Sequence, residues 1–335
     1  MELIEKLRIN PLTEVSEPPT YCTINNKPSL TAGNFSLIYG KKKSGKTFLL
    51  GGIIASTINN STQLGAIKGC LPKDKNVVLY FDTEQSLFHA NRSIRRICSL
   101  TRNSNPENLY AYGLRPLTPA ARLAVIGEVI TKTPNVGIIA IDGIRDLLTT
   151  GINDEQAATE LTSLFLKWSY ELNLHIVLLL HQNKADERAR GHIGSEVVNK
   201  AETTISVTKI DHSNMYRVVC EDSRDMPFDD FGFKITEDGL PASADVPDHK
   251  PKKITDPKFI KTEDHLSVLS DVYKNESDIN YTQLTKALGE KFDVGINKGK
   301  KFVTYYKDKG WVKTERDGMS VNYKLNPEAQ SFYSN

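Results

Sequence analysis

The chain has 335 residues, 39% of them hydrophobic and 25% charged, which is ordinary globular usage and length enough for two domains of roughly 100 to 200 residues. That make-up excludes wholesale disorder, collagen-like sequence and a coiled coil. A net charge of +2 covers only a mild asymmetry, because residues 251–335 hold 15 Lys and Arg against 12 Asp and Glu.

Residues 1–30 carry Pro11, Pro18, Pro19 and Pro28 with little periodicity. They read as a lead-in, with an extended arm over 1–24 and the first domain over 25–239. The opening Met-Glu-Leu-Ile-Glu-Lys lacks the cationic and apolar regions of a signal peptide. The longest apolar runs, 136–141 and 176–180, fall far short of the roughly 20 residues that span a bilayer. Cys22, Cys70, Cys98 and Cys220 are scattered, with no C-x-x-C pair, so reduced thiols, a cytoplasmic location and no membrane partner are expected.

Short apolar runs at 36–39, 77–82, 136–142 and 175–181 alternate with helical stretches at 46–59, 87–102, 118–132 and 155–173. This is the pattern of an α/β domain whose largely parallel sheet is covered by helices. Runs at 203–209, 216–221 and 232–236 read as antiparallel strands, the first two joined by a turn at Asp211–Asn214. Residues 240–263 are rich in proline and charge, as linkers are. A second domain is expected over 264–330, with helices at 265–274, 281–292 and 297–309 and a hairpin turned at Arg316-Asp317-Gly318.

Gly40-Lys41-Lys42-Lys43-Ser44-Gly45-Lys46-Thr47 fits G-x-x-x-x-G-K-[ST] between a strand and a helix. In such a loop Gly40, Ser44 and Gly45 let backbone N–H groups face phosphates, Lys46 reaches the β and γ phosphates, and Thr47 holds Mg²⁺. The competing reading is a lysine-rich turn. Asp142 ends the apolar strand 136–142, as a second Mg²⁺-directed group does; it would equally serve to cap the next helix. Glu84, in Asp82-Thr83-Glu84-Gln85, is placed to orient water as a base, or else is a surface carboxylate. His181 and Gln182 end the strand after the aspartate strand, where polar groups can sense a γ phosphate, although a lone histidine is also a common core residue.

These motifs together, with Leu180-His181-Gln182-Asn183-Lys184 and then Arg190-Gly191-His192-Ile193-Gly194-Ser195, resemble the RecA-like core of the RepA class of hexameric replicative helicases. The resemblance spans residues 25–237 and implies a RecA-like P-loop NTPase fold with ATP and Mg²⁺ as ligands. It assigns Lys46, Glu84 and Asp142 to catalysis and His181 or Gln182 to the sensor. It also implies a hexameric ring on single-stranded DNA and an arginine finger. Arg224 is the candidate finger, but Asp222 stands where such helicases carry the lysine of K-x-R; a salt-bridged surface arginine is the other reading.

Two loops would face the channel, 145–154 and the basic 183–195, and in the second Lys184, Arg188 and Arg190 suit a nucleic-acid backbone. The carboxy-terminal region resembles a winged helix, whose third helix carries Lys298, Lys300 and Lys301 for duplex DNA, though winged helices also bind proteins. The expectation is an ATP-hydrolysing motor on single-stranded DNA, a replicative helicase of a plasmid, phage or other mobile element. The alternatives are a nucleotide-switched loading or assembly protein that does not unwind, and a regulator with an ATPase sensor.

Overall fold

The computed structural model describes residues 8–151, 153–182, 189, 191–246, 257, 260, 262–274, 278–292, 294, 296–317 and 320–326. The chain divides into two compact units, Met1–Pro247 and Asp248–Asn335.

In the first unit, β1 (Thr20–Ile24), β2 (Lys27–Thr31) and β3 (Phe35–Gly40) lead into α1 (Lys46–Asn59) and a short hairpin, β4 (Thr62–Gln63) and β5 (Ile67–Gly69). Next come β6 (Val77–Asp82), α2 (Leu87–Thr101), β7 (Leu109–Gly113), α3 (Pro119–Lys132), β8 (Val136–Asp142), α4 (Glu155–Leu172), β9 (His175–His181) and α5 (Gly191–Lys200). The unit closes with β10 (Thr203–Lys209), β11 (Met215–Ser223), β12 (Phe231–Ile235) and β13 (Pro241–Ser243). The main sheet has the order β13-β12-β11-β10-β3-β9-β8-β6-β7. It is parallel from β10 to β7 and antiparallel from β10 to β13.

The central strands are continuous apolar runs because both of their faces are covered. Ile38, Val78, Ile138 and Val177 pack toward α1, while Leu37, Leu79, Ile139 and Ile176 pack in a second core with α4. Every residue of β8 is buried. Burying each such Leu, Ile or Val side chain contributes about 1.5–3 kcal/mol, so this sheet is a rigid frame for the loops at its edges.

Three expectations need correction. The extended arm assigned to 1–24 ends before Thr20, because β1 and β2 belong to a small antiparallel sheet of order β2-β1-β5-β4, in which Tyr21, Cys22, Ile24 and Leu30 are fully buried. The linker does not start at 240, since β13 pairs with β12 and Ala244 N–H donates to Gly232 O. The basic loop 183–195 is shorter than expected, because Gly191–Ser195 open α5, where Ile193 and Val197 turn into the core one helical turn apart.

In the second unit, α6 (Thr262–Val272), β14 (Ile279–Asn280), α7 (Tyr281–Lys291), α8 (Ile296–Asp308), β15 (Val312–Asp317) and β16 (Ser320–Leu325) follow in order. The sheet order is β14-β16-β15. Asn280 and Gln283 form a capping box that starts α7. Leu269, Leu284, Leu288, Phe302 and Tyr306 are fully buried in one core. Among the described residues no helix is long and apolar enough to cross a membrane.

Candidate active site

At the carboxyl edge of the parallel strands, β3 ends at Gly40 and α1 begins at Lys46. Gly45, the N-cap residue, has φ +93°, and a Cβ there would lie 2.6 Å from the Tyr216 ring, so the loop needs glycine at this point. Ser44 is buried and its Oγ has no hydrogen-bond partner. An orphaned hydroxyl in this loop suits a phosphate oxygen.

Lys46 is 7% exposed. Its Nζ donates to the carbonyls of Gly40 (3.0 Å) and Lys41 (2.9 Å) and to His181 Nδ1 (3.2 Å). On its far side, His181 Nε2 lies 3.3 Å from Glu84 Oε2; an imidazole protonated at Nε2 satisfies both contacts. Burial lowers the Lys46 pKa to about 8, against the pull of Asp142 and Glu84. The His181 hydrogen bond holds the Glu84 carboxyl below its usual range, with burial opposing it.

The Thr47 hydroxyl donates to Asp142 Oδ2 at 3.0 Å, and Tyr80 O–H donates to the same oxygen at 3.2 Å. β9 is inserted between β3 and β8, so Asp142 reaches the loop across one intervening strand. The Thr47 hydroxyl and the Asp142 carboxylate are the hard oxygen donors that Mg²⁺ prefers. Among the described residues no group of three His, Cys, Asp or Glu side chains could hold a metal ion. When bound, Mg²⁺ neutralises phosphate charge.

Asp82 and Glu84 have different roles. The Asp82 carboxylate accepts from Glu84 N (3.1 Å), Gln85 N (2.7 Å) and Gln85 Nε2 (2.7 Å), so it builds the turn that presents Glu84. Thr83 Oγ1 donates to the carbonyls of Asp142 (3.1 Å) and Gly143 (2.7 Å), which stitches that turn to the end of β8. Gly143 has φ +106°, and a Cβ there would come within 2.6 Å of Glu84 Cγ. Sequence reasoning passed over Tyr80, Thr83 and Gly143. The signal for Gly143 was the Asp-Gly dipeptide, a turn marker.

Of the remaining candidates, one lies at the loop. Gln182 N–H donates to Gly40 O at 3.0 Å, which places Gln182 beside the phosphate loop. Arg224 follows β11 at the opposite edge of the sheet, where Ser223 pairs with Thr203 and Thr203 with Ser36. Its backbone N–H donates to Glu202 O and its Nη2 to Lys200 O, both at 2.9 Å. The length of β3 separates it from the phosphate loop. Lys184, Arg188 and Arg190 lie outside the described residues. Lys298, Lys300 and Lys301 are exposed on α8.

A stability prediction follows from Asp142. Burial, with Asp82 adding to it, raises its carboxyl pKa from an ordinary 3.8 to about 6. The folded state therefore holds this proton more tightly than the unfolded chain, and stability is lost as pH rises through that window. Asp142→Asn removes the buried charge and should stabilise the metal-free protein at pH 7 by on the order of 3 kcal/mol, with the gain vanishing below pH about 4. Thermal denaturation at the two pH values measures this, and a lower Tm at pH 7 would contradict it.

The family model for an AAA domain, AAA_25, matches residues 12–187, more than half of the chain. No curated protein matches. The crystal structure of the RadB recombinase is similar over 64% of this chain and 93% of its own, at 16% identity and a TM-score of 0.43. The chain belongs to the AAA domain family, and its first unit places the phosphate loop between β3 and α1 of a mostly parallel sheet.

Proposed function

We propose that the protein is a Mg-ATP-hydrolysing motor that assembles as a ring, expected to be hexameric, on single-stranded DNA and serves as a replicative helicase of a mobile element. The observation that carries the hydrolytic part is the line Lys46, His181, Glu84 beside the Thr47–Asp142 pair. Lys46 meets the β and γ phosphates, Thr47 and Asp142 hold the metal, and Glu84 orients the attacking water. His181, touching both Lys46 and Glu84, is the residue through which phosphate occupancy reaches β9 and the basic segment beyond it. Arg224 completes the site of a neighbour, since it lies at the far edge of its own sheet.

The second unit fits the same reading. Its order of helix, strand, helix, helix and hairpin supports reading it as a winged helix, and Lys298, Lys300 and Lys301, exposed on α8, are the proposed phosphate contacts for duplex DNA. That exposed face also favours a second reading, in which nucleotide positions the module for loading without unwinding.

ATPase rate and strand displacement, each with and without single-stranded DNA, separate the two. A motor shows DNA-stimulated hydrolysis and displacement, whereas a loading switch shows neither. Replacing Lys184, Arg188 and Arg190 by Ala should lower the slope of log affinity against log salt by about 0.7 per lost contact on single strands. An unchanged slope removes these residues from the DNA site.

A further inference from the structure

The neighbouring strands β6 and β8 pair so that Tyr80 lies opposite Ala140 and Asp82 opposite Asp142. Side chains alternate across a sheet, so Tyr80, Ala140 and Asp142 share one face, the one on which Tyr80 and Ala140 join Ile53 and Ile54 of α1 in a single core. Ala140 is small, which leaves room for the phenol to run along the sheet toward its carboxyl edge. Asp142 stands two residues beyond Ala140, about 7 Å along the strand. The Tyr80 side chain, 1% exposed, spans that distance and ends with its hydroxyl 3.2 Å from Asp142 Oδ2.

The same oxygen receives the Thr47 hydroxyl at 3.0 Å. Two donors from two elements, α1 and β6, thus meet Oδ2, while no hydrogen bond among the described residues engages Oδ1. This fixes the carboxylate and leaves Oδ1 as its free acceptor. A buried phenol costs free energy unless its hydroxyl is paired. Phe81, the next residue of β6, fills the opposite core without a hydroxyl. What position 80 gains over a phenylalanine is therefore the bond to Asp142.

We infer that Tyr80 is a positioning residue for the metal: it holds the Asp142 carboxylate in the orientation that receives Mg²⁺ beside Thr47. The inference rests on the reading of Asp142 as a metal-directed group. Carboxylates at metal sites are ordinarily held by hydrogen bonds of their own, and loss of such an outer partner weakens metal affinity or activity by about 10–100-fold. Of the two donors on Oδ2, Thr47 is itself assigned to the ion and belongs to the helix that follows the phosphate loop. Tyr80 has no other task at the site and stands on the strand beside Asp142, so its bond ties the carboxylate to the rigid sheet. Asp82, on the same face, cannot substitute, because its carboxylate is spent on Glu84 N, Gln85 N and the Gln85 side chain.

Equilibrium binding of a fluorescent, non-hydrolysable ATP analogue to the full chain, first in EDTA and then across a Mg²⁺ titration, tests the role. Tyr80→Phe keeps the ring and should bind the analogue in EDTA as wild type does, while the Mg²⁺ concentration at the midpoint of the rise in affinity should increase by about 10–100-fold. Tyr21→Phe is the control. Tyr21 is fully buried, and its hydroxyl donates at 2.8 Å to the carbonyl of Asn173, which precedes β9 at the amino edge of the sheet. Losing that hydroxyl removes a buried hydrogen bond without touching the site, so the Mg²⁺ midpoint should stay at the wild-type value. Circular dichroism confirms folding before each titration. An unchanged midpoint in Tyr80→Phe, an equal shift in Tyr21→Phe, or a loss of analogue binding by Tyr80→Phe already present in EDTA would overturn the inference. Asp142→Asn separates it from the reading beneath it. A displaced midpoint there, with an unchanged one in Tyr80→Phe, removes Tyr80 alone. A wild-type midpoint in Asp142→Asn, or a wild type that ignores Mg²⁺, removes the metal role of Asp142 and the inference with it.

Discussion

Glu84→Gln is expected to bind ATP with near-normal affinity and to lose turnover by about 10²–10⁴-fold, the range that a positioned base supplies. The amide keeps the shape of the side chain and can still meet His181, 3.3 Å from the present carboxylate oxygen, so the turn and the phosphate loop should stay in place. What is lost is the capacity to take a proton from attacking water. Asp82→Asn is the informative control. Asp82 spends its oxygens on Glu84 N, Gln85 N and the Gln85 side chain, so its loss should cost stability more than chemistry. Single-turnover hydrolysis alongside nucleotide binding decides between them, and an active Glu84→Gln with a dead, folded Asp82→Asn would move the base to Asp82.

Arg224→Ala should likewise bind ATP, and its hydrolysis should fall by about 10³–10⁵-fold if the guanidinium meets charge developing on a neighbour's γ phosphate. The position of Arg224 makes the test sharper, because the residue cannot serve its own phosphate loop from the far edge of the sheet. Mixing inactive Arg224→Ala with inactive Glu84→Gln should therefore restore part of the rate, since some interfaces then pair an intact glutamate with an intact arginine. Near-normal activity of Arg224→Ala alone would mark a surface arginine whose one role is to hold the carbonyl of Lys200.

Much of the first unit was legible because its central strands are buried on both faces and so read as unbroken apolar runs. The elements that escaped were those whose signal is tertiary. β2 carries Pro28, which a strand tolerates at a sheet edge, where β2 lies. Read without its partners, the same proline made residues 1–30 look like a lead-in. α5 holds Gly191 and Gly194, which weaken helical propensity, while its signal, Ile193 followed by Val197, is a single repeat of helical spacing. At the site, the phosphate loop is local in sequence and could be read as such. The division of labour between Asp82 and Glu84 depends on which carboxylate caps its own turn, and only the folded backbone displays that. The edge occupied by Arg224 depends on strand register, which no spacing along the chain records.

Glu202 lies at the centre of a buried polar cluster. Its carboxylate accepts from Thr31 N at 3.0 Å, from the Thr31 hydroxyl and from Asn34 Nδ2 at 3.3 Å, and it lies 3.7 Å from the fully buried His175. Its own carbonyl receives the backbone N–H of Arg224. A random screen for inactive alleles should therefore return lesions at Thr31, His175 and Glu202, positions scattered along the gene and remote from the phosphate loop. Such alleles would resemble folding defects on sequencing, while their products would still be retained on an immobilised nucleotide.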